Sequence, residues 1–146
     1  MRLLIVNGPN LNLIGQRENE IYGNESFETY FDGLISRKDA EFDYYQSNVE
    51  GELINRLQAS DHDGIIINAG GYTHTSVALR DCIKAIKIDV VEVHISNITE
   101  REEFRHTSLI SPVVAGCVFG FGLMSYDLAA DFFLGRPRRS TMGFKR

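Results

Sequence analysis

The sequence predicts an α/β fold: an open, five-stranded parallel sheet in a three-layer sandwich with helices on both faces. Three observations point to it. Apolar runs of strand length are β-branched and nearly continuous, the pattern of parallel strands buried on both faces. They alternate with segments whose apolar residues recur at 3.6-residue spacing. A chain of 146 residues, 43% hydrophobic, suits one ordinary core and excludes two large domains.

The elements follow in order. Leu3 to Val6 is the first strand. Phe27, Tyr30, Phe31, Leu34 and Ile35 then repeat at helical spacing behind Ser26, a residue type suited to capping. Phe42 to Tyr45 makes a weaker second strand, and Leu53, Ile54 and Leu57 mark a helix behind Glu50. Ile65 to Ile67 is the third strand, followed by a helix with Leu79, Cys82, Ile83 and Ile86. Val90 to Val93 and Val113 to Phe119 complete the strands. A last helix, from about Leu123 to Leu134, stops at Gly135 with Pro137 just beyond. Five βα units require right-handed crossovers, and five strands favour the flavodoxin-like order 2-1-3-4-5. The chain thus divides into a single domain over residues 1–135 and a basic tail over 136–146. The tail lacks apolar periodicity and is expected to be disordered, with a basic arm for nucleic acid or a partner as the alternative.

Charge narrows the function classes. Fifteen Lys and Arg against twenty Asp and Glu give a net charge of −5, which argues against a generic nucleic-acid binder. Five of the basic residues lie in the tail, so the body alone is near −10. Cys82 and Cys117 stand in apolar runs without metal-ligand spacing and read as reduced core thiols of a cytoplasmic protein. No metal site is expected. Met1 leads straight into the first strand, no signal segment is evident, and no apolar run approaches the ~20 residues of a membrane span.

In such sheets ligands bind beyond the carboxyl ends of the strands where strand order reverses. Three strand ends carry unusual chemistry there: Asn7-Gly8-Pro9-Asn10-Leu11-Asn12, Asn68-Ala69-Gly70-Gly71-Tyr72-Thr73-His74-Thr75-Ser76, and Glu92-Val93-His94-Ile95-Ser96-Asn97. The glycine pair admits close backbone approach, and Thr75 or Ser76 at a helix start offers N–H groups and a hydroxyl to an anion. Glu92 and His94, two apart on a strand, share a face, so the carboxylate can orient the imidazole; a structural ion pair is the bland alternative. Arg101 and Arg105, four apart in a helical segment, have the spacing to clamp a carboxylate, although Glu102 and Glu103 between them also suit a solvated face. The segment from Leu13 to Gly23, with Arg17 and Tyr22, is long for a βα connection and reads as a lid.

These blocks, together with Arg17-Glu18, Tyr22-Gly23, Gln46-Ser47-Asn48, Glu50-Gly51 and Arg101-Glu102-Glu103-Phe104-Arg105, resemble the type II 3-dehydroquinate dehydratases in family order from Leu3 to Leu134. The resemblance implies a hydro-lyase of the shikimate pathway that converts 3-dehydroquinate to 3-dehydroshikimate without a cofactor. It implies that Tyr22, as tyrosinate beside Arg17, removes a proton from C2, that His94 backed by Glu92 is the acid at the C1 hydroxyl, and that Asn10 helps hold a water at the enolate. Asn68, His74, Ile95, Ser96 and Arg105 match substrate-binding positions, and Arg101 matches one that helps lower the tyrosine pKa. Asp81 matches a residue reaching a neighbouring subunit's site in a homododecamer built from trimers. Ionising near pH 7 a phenol whose ordinary pKa is about 10 takes roughly 4 kcal/mol, which nearby arginines can largely supply. Against the family pattern, the segment from Ser26 to Gln46 is about one helical turn short, and Asn19 stands where proline is common.

Three other readings fare worse. A flavin or nucleotide module needs a phosphate loop after the first strand, where Pro9 lacks an N–H and the asparagines lack hydroxyls. A Ser-His hydrolase using Ser76 or Ser96 lacks a Gly-x-Ser-x-Gly elbow. A non-catalytic scaffold does not account for Tyr22, His94 and Arg17 together. An imine-forming lysine is not expected, because Lys38, Lys84, Lys87 and Lys145 fall on outer helices or the tail.

Overall fold

The computed structural model describes residues 1–16 and 24–136. The strands are β1 (Arg2–Asn7), β2 (Glu41–Gln46), β3 (Gly64–Asn68), β4 (Val90–His94) and β5 (Gly116–Phe119), and the α-helices are α1 (Phe27–Arg37), α2 (Glu50–Gln58), α3 (Val77–Ala85) and α4 (Met124–Leu134). The strands form one parallel sheet of order β2-β1-β3-β4-β5, as the alternating pattern predicts.

Period-two alternation along the strands sorts the core into two layers. Leu3, Ile5, Ile66, Val91 and Val93 pack with Phe27, Tyr30 and Leu34 of α1 and with Tyr126, Ala129, Ala130 and Phe133 of α4. Leu4, Val6, Ile65, Ile67 and Val90 pack on the opposite face with Leu53 and Leu57 of α2 and with Leu79, Cys82 and Ile83 of α3. Each helix therefore buries only its apolar stripe. Ser26 caps α1, accepting from the Thr29 amide at 3.2 Å, and Ser76 caps α3, accepting from the Leu79 amide at 2.8 Å. Across the first layer Asp127 of α4 accepts from Tyr30 at 2.5 Å and pairs with Arg37 at 3.0 Å, joining the last helix to the first.

Several expectations need correction. Val113 to Phe119 is not one doubly buried strand: Ser111–Val113 is a 3-10 turn, and β5 is a partly exposed edge strand of four residues. Cys117 on that edge is exposed, so only Cys82 is a core thiol. Arg101 and Arg105 do not share a helix, because Ile98–Glu100 and Glu103–Arg105 are separate 3-10 turns and Arg101 between them is extended. Gly135 does end α4, but with φ −78° rather than in the left-handed region, its N–H bonding to Asp131 O at 2.8 Å.

Candidate active site

The register places polar residues level at the carboxyl edge of the sheet. Asn7 of β1 lies opposite both Gln46 of β2 and Asn68 of β3, at the point where the strand order reverses. The chain leaving β1 meets the chain leaving β3 closely: the Gly8 amide donates to Asn68 O at 2.8 Å, and a Cβ on Gly8 would stand 2.5 Å from Ala69 O. Only glycine fits this contact. Asn10 adopts a left-handed conformation, φ 69°, with its amide donating to Asn48 Oδ1 at 3.0 Å. Gln46 Nε2 donates to the same oxygen at 3.1 Å, so Asn48 ties the exit of β2 to that of β1.

Above this edge lies a cavity of about 650 Å³ lined by the ends of β1, β3 and β4 and the turns beyond β4. Of the residues singled out in the sequence, Asn10, Asn68, His74, His94, Ile95, Ser96, Arg101 and Arg105 line it together. Glu92 does not line it but stands directly behind, 1% exposed. Asp81 is exposed on α3 and outside the lining. Ser76 is buried and outside the lining, with its hydroxyl oxygen capping α3. Arg17 and Tyr22, and most of the tail, fall outside the described residues.

The polar groups of the cavity are individually oriented. His94 Nε2 lies 2.6 Å from Glu92 Oε1, a pairing that follows from their positions two apart on β4. Burial alone would raise the Glu92 carboxyl, but hydrogen bonds from His94, Ser111 and Ser108 outweigh it and hold the group below the ordinary carboxylate range. An ionised Glu92 accepts only, so Nε2 carries a proton and Nδ1 is the ring nitrogen left to a substrate. The His74 ring stacks near that of His94 with centroids 6.4 Å apart, and its Nδ1 donates to Thr107 O at 2.8 Å, which leaves Nε2 as its acceptor when neutral. Asn68 is clamped on both sides: its Oδ1 accepts from the Gly70 amide at 3.2 Å and its Nδ2 donates to the Tyr126 hydroxyl at 3.0 Å. Arg105 donates through Nε to Glu102 Oε2 at 2.8 Å, and Arg101 Nε lies 3.8 Å from the same oxygen.

Sequence reasoning passed over Tyr126, Ser108 and Ser111. Each reaches the site from a distant part of the chain, and none sits in a strand-end block.

A parallel α/β sheet whose switch point opens into a cavity with a buried His–carboxylate pair and two arginines is the arrangement of an α/β enzyme with its site at the switch point. The profile of the family described as "Dehydroquinase class II" matches residues 1–134, and the chain belongs to that family. A protein named 3-dehydroquinate dehydratase from an Exiguobacterium species is 53% identical over 132 residues, covering 88% of this chain and 91% of its own. One of the same name from Prochlorococcus marinus is 51% identical over 144 residues, covering 95% and 99%. The crystal structure of type II dehydroquinase from Butyrivibrio crossotus superposes with a TM-score of 0.87 at 45% identity, covering 92% of this chain and 97% of the other. Among the described residues no helix is long and apolar enough to cross a membrane.

Proposed function

We propose that this chain dehydrates 3-dehydroquinate to 3-dehydroshikimate, as a type II enzyme of the shikimate pathway, by trans elimination through an enolate. Tyr22 takes the proton from C2, and the electrons of that C–H bond pass into the enolate of the C3 ketone. When the carbonyl reforms, the C1–C2 double bond forms and the C1–O bond breaks. The departing hydroxyl leaves as water with a proton from His94. Arg17 and Arg101 favour the tyrosinate, and Asn10 helps hold a water at the enolate oxygen. Asn68, His74, Ile95, Ser96 and Arg105 bind the substrate, with Arg105 at its carboxylate.

The observation that carries this reading is the buried Glu92 behind His94 at the wall of a cavity that also holds Arg101 and Arg105. A β-hydroxy ketone loses water when a base, an oxyanion stabiliser and an acid surround it, and an imidazole with an anionic partner is a competent acid. Lys38 is paired with Asp127 and Asp131 at the end of α1, and neither it nor Lys84 or Lys87 lines the cavity. An imine route through these lysines is therefore not part of the proposal. Asp81, exposed on α3, serves a neighbouring subunit's site in a dodecamer built from trimers. The free thiols Cys82 and Cys117 suit the reducing cytoplasm.

The test is direct. Added 3-dehydroquinate should give the ultraviolet absorbance of the conjugated enone in 3-dehydroshikimate. Folded protein that gives no such signal would overturn the reading. Borohydride added with substrate should leave activity intact, and a trapped adduct would rule out the enolate route.

A further inference from the structure

The loop between β4 and β5 turns its hydroxyls onto one carboxylate. Ser108 Oγ donates to Glu92 Oε1 at 2.8 Å, and Ser111 Oγ donates to Glu92 Oε2. The Ser108 oxygen also accepts from the amides of Ile110 at 3.2 Å and Ser111 at 3.0 Å, so it is fixed by the turn it caps. From β5, across the register pair Glu92 and Cys117, the Cys117 thiol lies 3.4 Å from Glu92 Oε2. Although the residue as a whole is exposed, partial desolvation of its sulfur, together with the Glu92 charge, outweighs the Ser111 hydrogen bond and pushes that thiol up, so it remains a neutral, weak donor. Glu92 thus meets four donors on its two oxygens: His94 and Ser108 on Oε1, Ser111 and Cys117 on Oε2.

We propose that Ser108 and Ser111 are positioning residues for proton delivery. By donating to both oxygens of Glu92 they keep it an acceptor toward His94, and so fix the ring with Nε2–H on Glu92 and Nδ1 toward the substrate. A buried carboxylate without these donors takes up a proton more readily. Protonated, it no longer supplies the charge that supports an imidazolium, and its own O–H competes for Nε2. The groups facing the pair are His94 on β4, Cys117 on β5, the two serines of the loop, and His74 across the cavity. The inference rests on His94 acting as the acid.

Ser111→Ala is the cleaner variant, because Ser108 also caps its own turn. With glutamate labelled at the carboxyl carbon and the Glu92 signal assigned through Glu92→Gln, NMR titration should move to higher pH in Ser111→Ala and return in Ser111→Thr. In parallel kcat should fall about tenfold with KM within about twofold, as for other supports of a reacting imidazole. Ser108→Ala combined with Ser111→Ala should extend both effects. An unmoved Glu92 titration in the double variant, or a KM rise matching the loss of kcat, overturns the proposal. If the Glu92 signal moves as expected while His94→Gln retains kcat, the positioning stands and the role of His94 as acid fails instead.

Discussion

The Tyr126 hydroxyl of α4 donates to Asn7 Oδ1 at 2.7 Å, across 119 residues of chain. The phenol oxygen itself accepts from Asn68 Nδ2 at 3.0 Å, so one phenol from the last helix ties the carboxyl ends of β1 and β3 at the switch point. All three residues are buried. Tyr126→Phe should leave two buried amide groups short of a partner and cost about 1–3 kcal/mol. Urea unfolding should show a lower midpoint at unchanged slope, and KM should rise as Asn68 loosens. Unaltered stability and KM would show that the phenol is not what holds the amides.

Gly8 makes a second, steric prediction. The atoms nearest a Cβ there are the Ala69 carbonyl oxygen and carbon, at 2.5 and 2.7 Å, and backbone cannot swing aside as a side chain can. Gly8→Ala should push the exits of β1 and β3 apart and carry Asn10 and Gly70 with them. A displacement near 1 Å at reacting groups can cost about 100-fold in rate. The expected outcome is a folded protein with a large loss of kcat/KM, checked by circular dichroism and steady-state kinetics together.

Acid sensitivity should centre in part on Asp127. Burial alone would raise its carboxyl, but Arg37 and the Tyr30 hydroxyl outweigh that and hold it below the ordinary carboxylate value. A depressed folded pKa adds stability that is fully present above the unfolded value of about 4 and disappears as pH falls through the lower folded value. Asp127→Asn should therefore be less stable than wild type at pH 7, with the gap closing on acidification. Urea midpoints across that range test the point, and a gap independent of pH would contradict it.

Tyr22→Phe tests the proposed base. Removing the phenolic oxygen should lower kcat by about 10²–10⁴ while leaving KM little changed, as expected for a group used in proton transfer rather than binding. Turnover close to wild type would exclude that assignment.

How far the sequence could be read follows from where each signal is stored. β1, β3 and β4 announce themselves because strands covered on both faces must be apolar throughout. β5 misleads for the converse reason: Val113 and Val114 belong to a turn against the second core layer, and the strand that follows is a partly exposed edge. The pairing of Glu92 with His94 is local, two residues along one strand, and so is visible in the sequence. The contacts of Ser108 and Ser111 with Glu92 span 16 and 19 residues, and depend on how a loop returns to the sheet. Helical spacing suggested that Arg101 and Arg105 stack, whereas two short turns bring them to the same wall by another path.

Glu102 gives those arginines a further property. Its carboxylate lies 2.8 Å from Arg105 and 3.8 Å from Arg101 but outside the cavity lining, so both guanidinium groups already have an anionic neighbour. Under the proposed function, a substrate carboxylate at Arg105 would meet a cation that already has an anionic partner. Its binding should then depend less on salt than binding to an unpaired guanidinium would.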